Sequence, residues 1–179
     1  MLVPTRVVWG IAAIMMGCGG AQAENMQACV DAKERGLAAH LEESWQALER
    51  AAQEELVRCA GLDDSYETAM SHASIAYARS SSGRFPEALE AAAACLAADD
   101  NNVRCHRERS RALEGMGRTG EAAIATKAAI EAGPGARERA RDALARAKSP
   151  SERTRFERRV KAIDSHVAAA ERDLARMRK

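Results

Sequence analysis

Residues 83–102, "GRFPEALEAAAACLAADDNN", open on a glycine, pass through a dense patch of alanine holding one cysteine, and close on four polar residues. With Gly83 laid on Gly117, the stretch superposes on 117–136, "GRTGEAAIATKAAIEAGPGA". Gly83, Arg84, Glu87, Ala88, Ala91, Ala94 and Ala98 recur as Gly117, Arg118, Glu121, Ala122, Ala125, Ala128 and Ala132, and Leu96 answers to Ile130. A fixed period of about 34 residues marks stacked helical hairpins, each unable to bury its apolar face alone. Each copy reads as a glycine turn, a helix, and a stop at "ADDNN" or "AGPGA". The partner helices are "SYETAMSHASIAYARSS" (65–81) and "VRCHRERSRALEGM" (103–116). Periodic alanine has a physical use here, because small side chains let helix axes approach closely.

Composition agrees with an all-α chain. Aromatics make up 3% of the 179 residues and there are four prolines, while alanine, arginine and glutamate dominate. The β-branched and aromatic residues that strands favour are scarce. The net charge of +1 hides a polarity. Residues 24–102 hold 15 acidic against 6 basic side chains, and residues 137–179 hold 7 against 14. Such a distribution can steer partners or drive head-to-tail self-association. Nucleic acid is not expected as a partner, since acids interrupt the basic end and aromatics are few.

The segment 1–23 reads as an address. Arg6 precedes an apolar run from Val7 to Gly17, too short to span a bilayer as a helix, which needs ~20 apolar residues. Ala21-Gln22-Ala23 then fits a signal-peptide cleavage site before Glu24. The alternative is a bacterial lipoprotein: "MMGC" resembles a lipobox, Cys18 would carry the lipid, and only then is a membrane expected as partner. Met15 departs from the leucine usual there. Either processing predicts export to a periplasmic or secreted location. Cleavage after Ala23 leaves Cys29, Cys59, Cys95 and Cys105, an even count that suits two disulfides in an oxidising compartment, with three connectivities open.

The repeat period and its two-helix unit resemble tetratricopeptide repeats. Ala88 and Ala122 match that family's small-residue position and Pro134 its terminal proline, while Asp100 replaces the proline in the first copy. Ala92 and Thr126 stand where a large aromatic is common, and Arg109 where leucine is usual. The resemblance implies a stack of antiparallel helix pairs: two repeats over 66–136, preceded by a helical hairpin or one long helix over 24–65 and followed by capping helices over 137–179. The frame C-V-x-A…L-V-x-C-A around Cys29 and Cys59 is similar to exported repeat proteins of proteobacteria.

Cys95, late in one helix, and Cys105, early in the next, can meet across the short "AADDNNVR" turn at the ~5.5 Å Cα spacing of a disulfide. That leaves Cys29 for Cys59, which requires the chain to fold back near Glu42 to Trp45, with Ser44 as cap. Against a bend, Leu37, Leu41, Trp45, Leu48, Ala52 and Leu56 keep one helical stripe through it. Toward the C-terminus, residues 137–147 read as a separate helix. "KSPSE" breaks it, with Ser149 or Ser151 as cap and Pro150 at the start of the next. In that last helix Phe156, Val160, Ile163, Val167, Ala170, Leu174 and Met177 form a seam suited to capping the stack or to pairing with a second copy.

No catalytic pattern stands out. His40, His72, His106 and His166 lack metal-ligand spacing, so neither metal nor cofactor is expected. Cys105-His106 offers no nucleophile once the cysteine is bridged. "GMGRTG" lacks the lysine of a phosphate loop and reads as a turn. In tetratricopeptide stacks the first helices of the pairs line a concave groove. The resemblance places Arg104, Arg107 and Arg111 there at i, i+3 and i+7, with Tyr77 and Arg141 on the neighbouring helices. Guanidinium groups so spaced can clamp carboxylates. The expectation is a non-catalytic binding scaffold for an acidic segment or C-terminal carboxylate of another exported protein. The alternative is a self-assembling envelope protein.

Overall fold

The computed structural model describes residues 12–62 and 64–178, with side chains at Glu24 and from Met26 onward. The expected signal segment 1–23, Cys18 included, lies outside the described side chains. Seven helices and no strand occur among the described residues: α1 (Ala12–Leu41), α2 (Trp45–Arg58), α3 (Ser65–Ser81), α4 (Phe85–Ala98), α5 (Val103–Gly115), α6 (Thr119–Arg146) and α7 (Pro150–Met177). None of these is long and apolar enough to cross a membrane. Each helix packs on the next, and α5 also packs on both α3 and α7. Helices α3, α5 and α7 therefore share one side of the stack.

Three of the turns are the same object. After α3, the Arg84 amide donates to the Arg79 carbonyl (2.9 Å) and Gly83 to Ser80 (3.1 Å). After α5, Arg118 donates to Leu113 (2.9 Å) and Gly117 to Glu114 (2.9 Å). These are Schellman closures, and the glycines supply the left-handed backbone they need, at φ 76° and 73°. Between α1 and α2 the closure recurs, Ser44 donating to Ala39 and Glu43 to His40, but the residue at φ 54° is Glu43. The chain does fold back at 42–44. Ser44 sits at the N-cap of α2 without its side chain capping anything. The stripe that argued for one long helix is divided by the turn: Leu48 and Ala52 are buried, whereas Leu37 and Leu41 are 62% and 74% exposed.

Both cysteine pairs are bridged. Cys29–Cys59 ties the open end of the α1–α2 hairpin, with Cα atoms 4.9 Å apart. Cys95–Cys105 spans the α4–α5 turn at 5.5 Å. Asn102 caps α5, accepting from the Arg104 and Cys105 amides. Asp64 caps α3, and Ser149 forms a capping box with Glu152 at α7.

The core is built largely of alanine. Ala69, Ala73, Ala76, Ala88, Ala92, Ala112, Ala122, Ala129 and Ala170 are fully buried, and the bulkiest fully buried side chains are threonine, cysteine and serine. Thr126, at the position where an aromatic is common, meets Ser110 Oγ at 2.6 Å and donates to the Ala122 carbonyl. Glycine extends the same economy of volume: a Cβ on Gly133 would stand 2.5 Å from Val167 Cγ2.

That contact explains a correction. The "AGPGA" stretch does not stop a helix, and 137–147 is not a separate one; α6 continues through Pro134 to Arg146. A proline inside a helix forfeits one hydrogen bond and costs about 3 kcal/mol. Opposing it, Ala132, Gly133, Ala136 and Ala140 bury against Val160, Ile163 and Val167 of α7, and the proline itself stays exposed. Ile163, Ala170 and Leu174 of the α7 seam are buried within this fold, so the helix caps the stack.

Candidate functional site: a concave cleft with an arginine wall

A cleft of about 760 Å³ opens on the side of the odd-numbered helices. Lys33, Leu37 and His40 of α1 line it on one side, Met70, Ser74 and Tyr77 of α3 the next, and Arg104, Arg107 and Arg111 of α5 the far wall. Helices α4 and α6 contribute nothing to it, as expected of outer helices in a hairpin stack. A second cavity of about 750 Å³ continues toward the start of α7 and shares Lys33, Glu67, Met70 and Arg158 with the first.

Four of the five side chains expected in the groove meet there. Tyr77 lies under Arg111, whose guanidinium carbon is 4.6 Å from the ring centroid. Edge-on contacts from His40 (5.3 Å) and Trp45 (5.4 Å) hold the tyrosine ring in place. Arg104 and Arg107 are largely buried and Arg111 is more open. Arg141 is elsewhere: α6 is an outer helix along its full length, so this arginine is exposed and does not line the cleft. Arg158 and His166 of α7 take the place the sequence assigned to it.

The arginines are not free of carboxylates. Arg107 pairs with Asp173 (3.2 Å) and donates to His166 Nδ1 (3.2 Å). Burial beside Arg104 and Arg107 pushes the imidazole down to about 4, so His166 is a neutral acceptor at neutral pH. Glu108 stands between Arg104 and Arg111, 4.0 and 3.5 Å from their Nε atoms. Sequence reasoning missed it, although its i+4 relation to Arg104 and i+3 relation to Arg111 on the arginine stripe were the available signal.

The charge polarity of the chain is partly answered within it. At the start of α7, Arg159 donates to Asp64 (2.8 Å) and Glu67 (3.1 Å) of α3 and lies 4.0 Å from the Tyr66 ring centroid. Burial pushes the Tyr66 phenol up to about 12 against the opposing guanidinium. Burial also pushes the Asp64 carboxyl up, but hydrogen bonds from Arg159 and the Glu67 amide outweigh it and leave the group below its usual range. Basic α7 thus closes onto the acidic front of the stack. Cys105, bridged, is no nucleophile, and His106 meets the Asp100 carbonyl at 3.0 Å. No cluster of His, Cys, Asp and Glu suited to a metal occurs among the described residues.

No family model and no curated protein matches the sequence. Solved structures do match the fold. The tetratricopeptide domain of Arabidopsis OM64 superposes with TM-score 0.53 at 21% identity, covering 76% of this chain and 98% of its own. The chain has a tetratricopeptide-repeat fold. The TPR2B domain of yeast Sti1, in a pHsp70 complex, gives TM-score 0.52 at 18% identity over 82% of this chain and 98% of its own. PcrH, in complex with the chaperone binding region of PopD, gives 0.53 at 14% identity over 83% and 94%. In this tetratricopeptide fold, α3–α4 and α5–α6 are the repeated pairs and α7 stands where a further first helix would.

Proposed function

We propose that this protein is a non-catalytic binding scaffold of an exported, oxidising compartment, whose concave cleft holds an acidic segment of another exported protein. The observation that carries the reading is the arginine wall. Arg104, Arg107 and Arg111 line the cleft with Arg158, and exposed Leu37 and half-buried Met70 add an apolar strip to the same lining. Guanidinium forks take carboxylates in paired hydrogen bonds, and the strip gives an apolar side chain of the same segment somewhere to bury. Two of the structural neighbours are held with partners, pHsp70 and a region of PopD, which supports a protein ligand here. Two disulfides and the leader-like segment 1–23 support export, since such bridges persist outside a reducing cytosol.

The test is titration of a fluorescent peptide of alternating aspartate and leucine, with a lysine–leucine peptide as control. Binding of the first alone, weakened about tenfold by Arg111→Gln and untouched by Arg141→Ala, is the expected result; an interfacial Arg contact of this kind is worth about 1–2 kcal/mol. Equal binding of both peptides, or equal loss in the two variants, would remove the arginine wall from the function.

A further inference from the structure

Glu108 lines the cleft yet is only 3% exposed. Its Oε1 lies 4.0 Å from Arg104 Nε and its Oε2 3.5 Å from Arg111 Nε. Oε2 accepts no hydrogen bond at all, and Nε of Arg107 on the same helix donates none. Neither contact has the short, paired geometry that makes an arginine–carboxylate bridge strong. Oε2 is held by charge alone, in a place water does not reach. Burial accordingly raises its hold on a proton, with Arg111, Arg104 and Arg107 opposing.

The other elements around it add further charge, and Asp173 reinforces the effect of burial. On α7, Asp173 is engaged by Arg107, His166 is neutral, and Arg158 is cationic. On α3, Tyr77 lies under Arg111, and Glu67 is engaged by Arg159. On the α1–α2 side the cleft is lined by Lys33, His40 and Glu55, with Lys33 3.9 Å from Glu55 and 3.6 Å from Glu67. The guanidinium groups nearest Glu108 are thus the ones an acidic ligand would need.

We propose that Glu108 is an internal occupant of the arginine site: a ligand carboxylate takes over Arg104 and Arg111, and Glu108 accepts a proton from the buffer as the ligand binds. The inference rests on the anion-binding reading of the cleft. Two carboxylates sharing one cationic cluster resist being ionised together, and the one that yields is the more buried, whose Oε2 is shut off from water and unbonded. The proton goes to the oxygen that lacks a hydrogen bond, the product is a neutral carboxylic acid, and the buffer acid is left as its base. Glu108 therefore sets the selectivity of the cleft. Acidic segments bind more tightly as pH falls toward the range in which their own carboxylates titrate, and a weakly acidic segment fails to displace the residue already present.

Calorimetric titration of the full mature chain with an acetylated, amidated aspartate–leucine peptide tests this. Run at pH 7 in phosphate and in Tris, which differ in ionisation enthalpy, it counts protons directly in the wild-type protein. A net uptake approaching one proton per peptide is expected. Glu108→Gln, which keeps the shape and removes the charge, is expected to abolish the uptake and tighten binding about tenfold at pH 7.5. Arg141→Ala, exposed and outside the cleft, is expected to retain the uptake. Peptide binding without proton uptake, at equal affinity in wild type and Glu108→Gln, would overturn the role of Glu108 and leave the cleft reading standing. No binding to either protein would overturn both.

Discussion

The α1–α2 hairpin and the two repeated pairs turn their corners with the same hydrogen bonds but not with the same residue. Gly83 and Gly117 take up φ of 76° and 73° without steric cost, whereas Glu43 takes up 54° with a Cβ in the way. The spacing differs as well: Glu43 stands further ahead of Gly83 than Gly83 stands ahead of Gly117. The first hairpin is thus closed by a less favourable turn and lies outside the repeat register. It is also the hairpin closed end to end by a disulfide: Cys29–Cys59 has a sequence separation of 30, Cys95–Cys105 of only 10. A local signal sufficient for two hairpins is replaced, in the third, by a covalent one.

Three measurements test that contrast. The largest effect belongs to the bridges. On chain entropy alone, opening Cys29–Cys59 by replacing both cysteines with serine costs about 3.5 kcal/mol and opening Cys95–Cys105 about 2.5 kcal/mol. Urea unfolding of the two double variants should keep that order, with amide exchange rising first in α1 and α2 when the long bridge is lost. A reversed order would mean that the repeat pairs, not the hairpin, depend on their staple.

Next comes Pro134. If burial against α7 alone holds α6 together through it, Pro134→Ala restores a helix hydrogen bond and stabilises the protein by about 2 kcal/mol. A fall in melting temperature instead would show that the proline shapes the seat of Val167. The smallest effect is the most direct. Glu43→Gly should stabilise by about 1 kcal/mol, and Gly83→Ala should destabilise by a similar amount. The same sign for both in thermal melts would show that the turns are alike in hydrogen bonds only.

The legible parts of the fold follow this division. The period through Gly83 and Gly117 announced two hairpins because glycine, alanine and their spacing are local requirements of the turn and of close helix packing. The α1–α2 bend was argued from Cys29 and Cys59, not from any turn residue, because Glu43 carries no turn signal. Pro134 misled for the opposite reason: its local preference is to end a helix, and the contact that overrules it, Gly133 against Val167, comes from a different helix, far along the chain. The cleft divides in the same way. Arg104, Arg107, Arg111 and Tyr77 were placed by register, while Arg141 was lost when α6 ran on, and Arg158 and His166 replaced it.

What depends on neighbours along the chain could be read from the sequence: helical class, the repeat unit, small-residue packing, an α7 cap at Ser149 or Ser151, and the reach of Cys95 to Cys105 across the α4–α5 turn. The tertiary structure decided what depends on neighbours in space. It carried α6 through its proline, turned the α7 seam inward, drew Arg159 onto Asp64 and Glu67, and left Glu108 buried among the arginines with one oxygen unbonded. Periodicity tells which face of a helix a residue occupies. Only packing decides what that face meets, and so whether a charge stays in water or has to share its partner.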